Sequence, residues 1–279
     1  MITNIQSLKD KAKNCAKENG ISVQQVLQNY MFERFLERLS HSTYCDKFVI
    51  KGGLLLSSIM GINIRTTMDI DADIIGTNFE KETLKQIINN IIQIDIDDKV
   101  KIMLVDIEDI REENEYGGYK FKLVSKFSNL KIPFHIDVST GDIITPKAIE
   151  YKYKMILEDR YINIWTYNQE TIIAEKLQTI LSRKISNSRM KDYYDIYYFA
   201  NLKWNEINEE ILKRAIQATF SKRETLIDLE NIEIIIKAIS EDNNLKMLWK
   251  DYQEKFEYAK DIKFEDTINS IRFIKDKIS

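Results

Sequence analysis

The chain has 279 residues, 44% of them apolar and 30% charged, enough for one large domain or two small ones with a sizeable core. No stretch approaches the roughly 18 unbroken apolar residues of a membrane span, and Met1-Ile-Thr-Asn-Ile-Gln lacks a basic region leading into an apolar one, so the expectation is a cytoplasmic protein. Cys15 and Cys45, without a CxxC pair, argue against a disulfide framework or a zinc site, and a net charge of −3 argues against coating nucleic acid through global positive charge.

In chain order, helical spacing runs from about Ile5 to Asn19 and again from Ser22 to Ser40, with Ser22 as the N-cap of the second helix. Phe48-Val-Ile reads as a short strand, followed at once by Gly52-Gly53 and the apolar, helix-like Leu54 to Met60. Met68 to Ile75 alternates carboxylate and apolar residues with period two, the pattern of a strand with one wet face. Lys101 to Ile107, Gly118 to Val124 and Ile132 to Val138 are further β-rich runs, bounded by turns at Gly117-Gly118 and Ser128-Asn129, and together the strands suggest one mixed sheet. After Pro146 a connecting segment leads to about Tyr167, and helical periodicity then continues almost to the end, with Trp204 and Trp249 expected in its core. The division is therefore placed at residues 1–150, N-terminal helices and sheet, and 151–279, a helical domain, with the boundary near 147–168.

Asp69, Asp71 and Asp73 stand at i, i+2 and i+4 of the expected strand, so their carboxylates share a face. Three carboxylates on one face repel unless a cation or basic groups neutralise them, and oxygen ligands of this kind suit magnesium together with substrate phosphates. The competing reading is a charged edge strand that blocks aggregation. The upstream Gly52-Gly53 turn, opening a helix whose N-terminus could hold a triphosphate, favours the metal reading. Asp137, in Phe134-His-Ile-Asp-Val, is the candidate for a further ligand, or else a strand-end residue paired with Lys131 or His135. Lys176, Asp192 and Asp195 fall on helical stretches, the two aspartates on one face, either to meet phosphates or as an interhelix salt bridge. Around them, Lys176, Arg183, Lys184, Arg189 and Lys191 face only Glu175, a basic stretch that is either solvated surface or a nucleic-acid contact.

These residues resemble a known family, the AbiEii toxins of type IV toxin-antitoxin (abortive infection) systems, whose fold is similar to that of the MenT toxins. The resemblance runs from about Ser22 to Phe220. It is densest in Tyr30-Met-Phe-Glu-Arg-Phe-Leu-Glu-Arg-Leu, Phe48-Val-Ile-Lys-Gly-Gly, Arg65-Thr-Thr-Met-Asp-Ile-Asp, Ile173-Ala-Glu-Lys-Leu and Arg189-Met-Lys-Asp-Tyr-Tyr-Asp. It implies an α+β nucleotidyltransferase fold (DNA polymerase beta-like), a mixed sheet with flanking helices plus a helical C-terminal domain. It further implies that Gly52 and Gly53 form the phosphate-binding turn with Thr67 beside it, and that Asp69, Asp71 and Asp137 bind Mg2+ or Mn2+. Lys176 and Asp192 become catalytic and nucleotide-binding residues, and Asp73 a bystander. The implied reaction moves a nucleotide from an NTP to RNA, at the 3′ end of tRNA, which would block translation and growth in a phage-defence setting. Lys213, Lys222 and Arg223 would join the basic stretch along the RNA. A protein or small-molecule acceptor, or a non-catalytic nucleotide-binding module, are the alternatives. A cognate antitoxin encoded nearby is an implied partner, and nothing in the sequence demands more than a monomer.

Overall fold

The computed structural model describes residues 2–63, 67, 69–110, 117–225 and 229–278, with 229 and 230 as backbone only. Arg65, Thr66 and Met68 of the sequence motif lie outside the described residues. The chain divides into two compact units, Met1–Gly141 with Ala148–Tyr167, and Asp142–Lys147 with Asn168–Ser279.

The first unit opens with α1 (Ile5–Asn19), capped by the Asn4 side chain and ended by Gly20 at φ 65°. Next comes α2 (Val23–Ser40), where Ser22 and Gln25 exchange hydrogen bonds as a capping box. β1 (Phe48–Lys51) runs straight into α3 (Gly52–Met60), so the two glycines are the first residues of a helix and not a separate turn. β2 (Asp69–Ile74), α4 (Lys81–Ile92), β3 (Lys101–Ile110), β4 (Gly118–Phe127) and β5 (Leu130–Ser139) follow. The β4–β5 hairpin closes through Ser128, at φ 54°, and Asn129.

The stretch expected as a connection, 147–168, instead holds β6 (Ile149–Lys154) and β7 (Tyr161–Thr166), an antiparallel pair that belongs to the sheet unit. Its alternation of apolar and polar residues suits a strand covered on one side, as in Tyr161-Ile-Asn-Ile-Trp-Thr. Among the described residues the sheet has seven strands in the order β3-β4-β5-β2-β1-β7-β6. It is mixed: β2 pairs parallel with β5 and antiparallel with β1, and β1 pairs parallel with β7. β2 is therefore an interior strand, which removes the edge-strand explanation of its aspartates.

One face of the sheet is covered by helices. Phe121, Leu123, Phe134 and Ile136 are buried there, and Phe32 of α2 meets Phe134 edge-on at 5.7 Å. α2 is enclosed on all sides, so its charged residues must be paired. Arg38 donates twice to Asp98 at 2.8 Å and also to the Val100 carbonyl, and Arg160 donates twice to Glu37. Burial, only partly offset by a hydrogen bond from the Ile156 amide, raises the Glu33 carboxyl to a pKa of about 8.

The second unit is helical: α5 (Gln169–Arg183), α6 (Met190–Leu202), α7 (Glu209–Lys222), α8 (Leu229–Glu241), α9 (Asn243–Lys255) and α10 (Phe264–Ile278). Trp249 lies in its core, 2% exposed, beside Tyr252 and Phe264. Trp204 is only half-buried, packs against Phe273 and donates to Glu209, so it is a rim residue. Among the described residues no helix is long and apolar enough to cross a membrane.

The Arg38–Asp98 pair fastens α2 to the start of β3, and both side chains are almost fully buried. Asp98→Ala leaves a buried guanidinium without its carboxylate and is expected to cost about 3–5 kcal/mol, measured by urea denaturation.

Candidate active site

Strand register assembles the carboxylates. In the parallel β2–β5 pair Asp71 lies directly opposite Asp137, and Asp69 opposite His135. The antiparallel β1–β2 pair sets Lys51 opposite Asp71. Directly opposite residues point to the same face, so Asp69, Asp71 and Asp137 converge, with carboxylate oxygens within 4.8 Å of one another. Among the described residues this is the set with metal-holding geometry. Asp73 shares the face but is completely buried, where its Oδ1 accepts from the Ser139 hydroxyl at 3.3 Å, and it stands apart from the set.

The glycine pair makes room for these side chains. A Cβ on Gly52 would lie 1.9 Å from Asp71 Oδ2, and one on Gly53 would lie 2.6 Å from Thr67 Oγ1. Gly52 also has φ +64°, a left-handed conformation that disfavours any side chain. The Gly53 amide donates to Asp71 Oδ2 at 3.3 Å, so at the helix N-terminus it already holds a carboxylate. The Thr67 hydroxyl donates to Asp69 Oδ1 at 2.7 Å and fixes that carboxylate in turn.

Asp137 is held by a residue the sequence reading passes over. Lys120 of β4 stands opposite it in the antiparallel register and donates to Asp137 Oδ2 at 2.8 Å; neither Lys131 nor His135 fills that role. The other oxygen, Asp137 Oδ1, is buried and accepts no hydrogen bond among the described residues. Such an orphaned acceptor is costly unless something electropositive meets it.

Burial raises the pKa of Asp71, and the neighbouring Asp69 adds to the rise. The Gly53 amide and Lys51 oppose it, and Asp137 pushes it up further. Lys51 also stands 5.5 Å above the Tyr167 ring. Among the described residues two lysines thus face three crowded carboxylates, and the balance is negative. The residues fit a divalent cation on three counts: the oxygen donors, their convergence, and the unbonded Oδ1.

Lys176 and Asp192 are brought together within the helical unit. Lys176 Nζ lies 3.0 Å from Asp192 Oδ1 and 2.6 Å from Asp195 Oδ2, and Arg189 Nε lies 2.9 Å from Asp192 Oδ2. This is an interhelix ion network between α5 and α6, with both aspartates buried. The expected basic stretch is correspondingly less basic: Lys176 and Arg189 are matched by these aspartates, while Glu175 binds Arg223, which also meets Asp142. Arg183 and Lys184 are exposed.

A family model described as "Nucleotidyl transferase AbiEii toxin, Type IV TA system" matches residues 34–270. Among solved structures, MenT4, a nucleotidyltransferase toxin from Mycobacterium tuberculosis H37Rv, aligns at TM-score 0.52 and 14% identity, over 96% of this chain and 97% of that chain. JHP933 from Helicobacter pylori aligns at TM-score 0.46 and 16% identity, over 91% and 93%. No curated protein matches the sequence. The similarity to MenT4 is one of fold, and it agrees with the α+β nucleotidyltransferase architecture.

Two outcomes follow from the geometry. Gly52→Ala is expected to cost at least about 1–2 kcal/mol from the left-handed backbone alone and to displace Asp71, seen as a lower Tm and weaker Mn2+ binding by titration calorimetry. Burial by itself would raise the Asp192 pKa, but Lys176 and Arg189 outweigh it and hold it at about 2. Its ionisation therefore stabilises the fold above pH 3.8, and this contribution is lost as pH falls through about 2. Asp192→Asn is expected to be less stable than the parent at neutral pH, the gap closing between those two values in acid denaturation.

Proposed function

The chain belongs to the AbiEii family of type IV toxin-antitoxin nucleotidyltransferases, and we propose that it transfers a nucleotide from an NTP to RNA at the 3′ end of tRNA in the cytoplasm, arresting translation. The observation that carries the reading is the convergence of Asp69, Asp71 and Asp137 with one buried oxygen left unbonded among the described residues. In this reading the three carboxylates hold Mg2+ or Mn2+. The cation would supply Lewis-acid stabilisation of charge developing on the phosphoryl oxygens.

The acceptor hydroxyl attacks the α-phosphorus and gives up its proton to solvent; a new P–O bond forms, the bond to the β-phosphate oxygen breaks, and pyrophosphate leaves. No protein nucleophile enters. The chain's own contribution is preorganisation. Thr67 fixes Asp69, the Gly53 amide fixes Asp71, and Lys120 fixes Asp137. Gly52 and Gly53, at the N-terminus of α3, are assigned to the donor phosphates, where the helix dipole favours negative charge. Lys176 and Asp192 are assigned to nucleotide binding; their buried ion pair presents an ammonium whose position is set before substrate arrives. A neighbouring gene product acting as antitoxin completes the reading.

The test is incubation with each radiolabelled NTP, with total RNA and with lysate protein in parallel. Label is expected in tRNA, dependent on Mg2+ or Mn2+, and reduced at least about a hundredfold in Asp71→Asn. Label in protein alone, or undiminished transfer by Asp71→Asn, would overturn the proposal.

A further inference from the structure

The face that carries the carboxylates continues outward across β5, β4 and β3, and the register lets it be followed row by row. Nearest the site, Asp137, Lys120 and Glu108 lie abreast, followed by His135, Lys122 and Asp106. Charges there are matched: Lys120 binds Asp137, and Lys122 pairs with Asp106 and Glu108. The third row, Pro133, Val124 and Met103, is apolar, and Met103 is 47% exposed.

The fourth row is Lys131, Lys126 and Lys101, all exposed and directly opposite one another on three adjacent strands. Among the described residues none of the three is paired with a carboxylate. Neighbouring strands lie about 4.8 Å apart, and like charges facing each other at that spacing destabilise a sheet. Protection of a sheet edge would account for Lys101 on β3, the edge strand, but not for Lys126 and Lys131 on the interior strands β4 and β5. Three unmatched cations in a line are accounted for by a polyanion that lies across them.

We propose that this sheet face is the docking track of the RNA acceptor, with backbone phosphates on the row Lys101, Lys126 and Lys131 and a ribose or base face on the apolar row before it. The inference rests on the reading of RNA as the acceptor. From Lys131 to Asp137 the strand advances about 20 Å at roughly 3.3 Å per residue. A stacked strand rising about 3.4 Å per nucleotide covers that span in about six nucleotides. The row therefore grips the acceptor about six nucleotides from its reacting end.

The test compares the parent with the triple variant Lys101→Gln, Lys126→Gln, Lys131→Gln and with the corresponding triple Arg variant. The Gln variant is expected to show a KM for tRNA raised on the order of tenfold and a salt dependence of RNA binding shallower by about 2, three contacts at about 0.7 each. Its Tm should not fall, since repulsion is relieved, and its KM for NTP should be unchanged. The Arg variant should behave as the parent. Acceptor oligonucleotides of three nucleotides should not distinguish the Gln variant from the parent, whereas those of ten or more should. If the parent labels RNA and the Gln variant keeps the same KM for it, the track is wrong while the acceptor reading stands. A raised KM for NTP with an unchanged KM for RNA would give the row to the donor's phosphates and likewise overturn the track. If the parent labels no RNA, the acceptor reading itself fails, and the parent arm alone reveals it.

Discussion

Mutual repulsion among Asp69, Asp71 and Asp137 is the constraint around which the sheet unit is arranged. Three carboxylates on adjacent interior strands cannot relax into solvent as they would on an edge. Each is instead held by one specific donor: a threonine hydroxyl, a helix N-terminal amide and a lysine on the neighbouring strand. The Gly52-Gly53 pair follows from the same constraint, since any side chain there would occupy the space that Asp71 and Thr67 need. The parallel pairing of β2 with β5 matters equally. A slip of one residue would send Asp137 to the helix-covered face and Ile136 into the site.

The two faces of the sheet are made from the same strands by alternation. Along β5, Ile132, Phe134 and Ile136 are buried under the helices, while Lys131, Pro133, His135 and Asp137 occupy the other side. The buried face gives the rigidity that holds the converging carboxylates in place. Its covering helix α2 is enclosed enough that Arg34, Glu37 and Arg38 are sequestered, which is tolerable only because ion pairs connect them to one another and to distant parts of the unit. The sequence Phe32-Glu-Arg-Phe-Leu-Glu-Arg-Leu is thus neither a simple amphipathic helix nor a surface one.

Much of this was legible where the signal is local. The N-cap at Ser22, both N-terminal helices, five strands and the same-face aspartates all follow from period and spacing. Two further elements also carry a local signal: Leu84, Ile87, Ile88 and Ile91 have the helical spacing of α4, and 161–166, expected as a connection, alternates as β7 does. Other features were out of reach in principle. Lys120 is seventeen positions from Asp137 along the chain and meets it only through strand register, which no one-dimensional pattern specifies. Likewise the glycines suggest only a phosphate cradle in the sequence, whereas their steric role depends on side chains from β2 and the segment before it.

Charge accounting separates the two ionic clusters the sequence singled out. In the helical unit Lys176 and Arg189 meet Asp192 and Asp195, two cations for two anions, and the result is a pKa for Asp192 well below its ordinary value. In the sheet unit three carboxylates meet Lys51 and Lys120, and Asp71 is pushed the opposite way, toward holding its proton. Among the described residues the first cluster is matched in charge. Among the described residues the second sets three carboxylates against two lysines and carries an unbonded buried oxygen, so a divalent ion would offset the negative balance and satisfy the acceptor. The same residue type, aspartate beside lysine, therefore has opposite meanings in the two units. What distinguishes them is not the motif but the count of charges within reach.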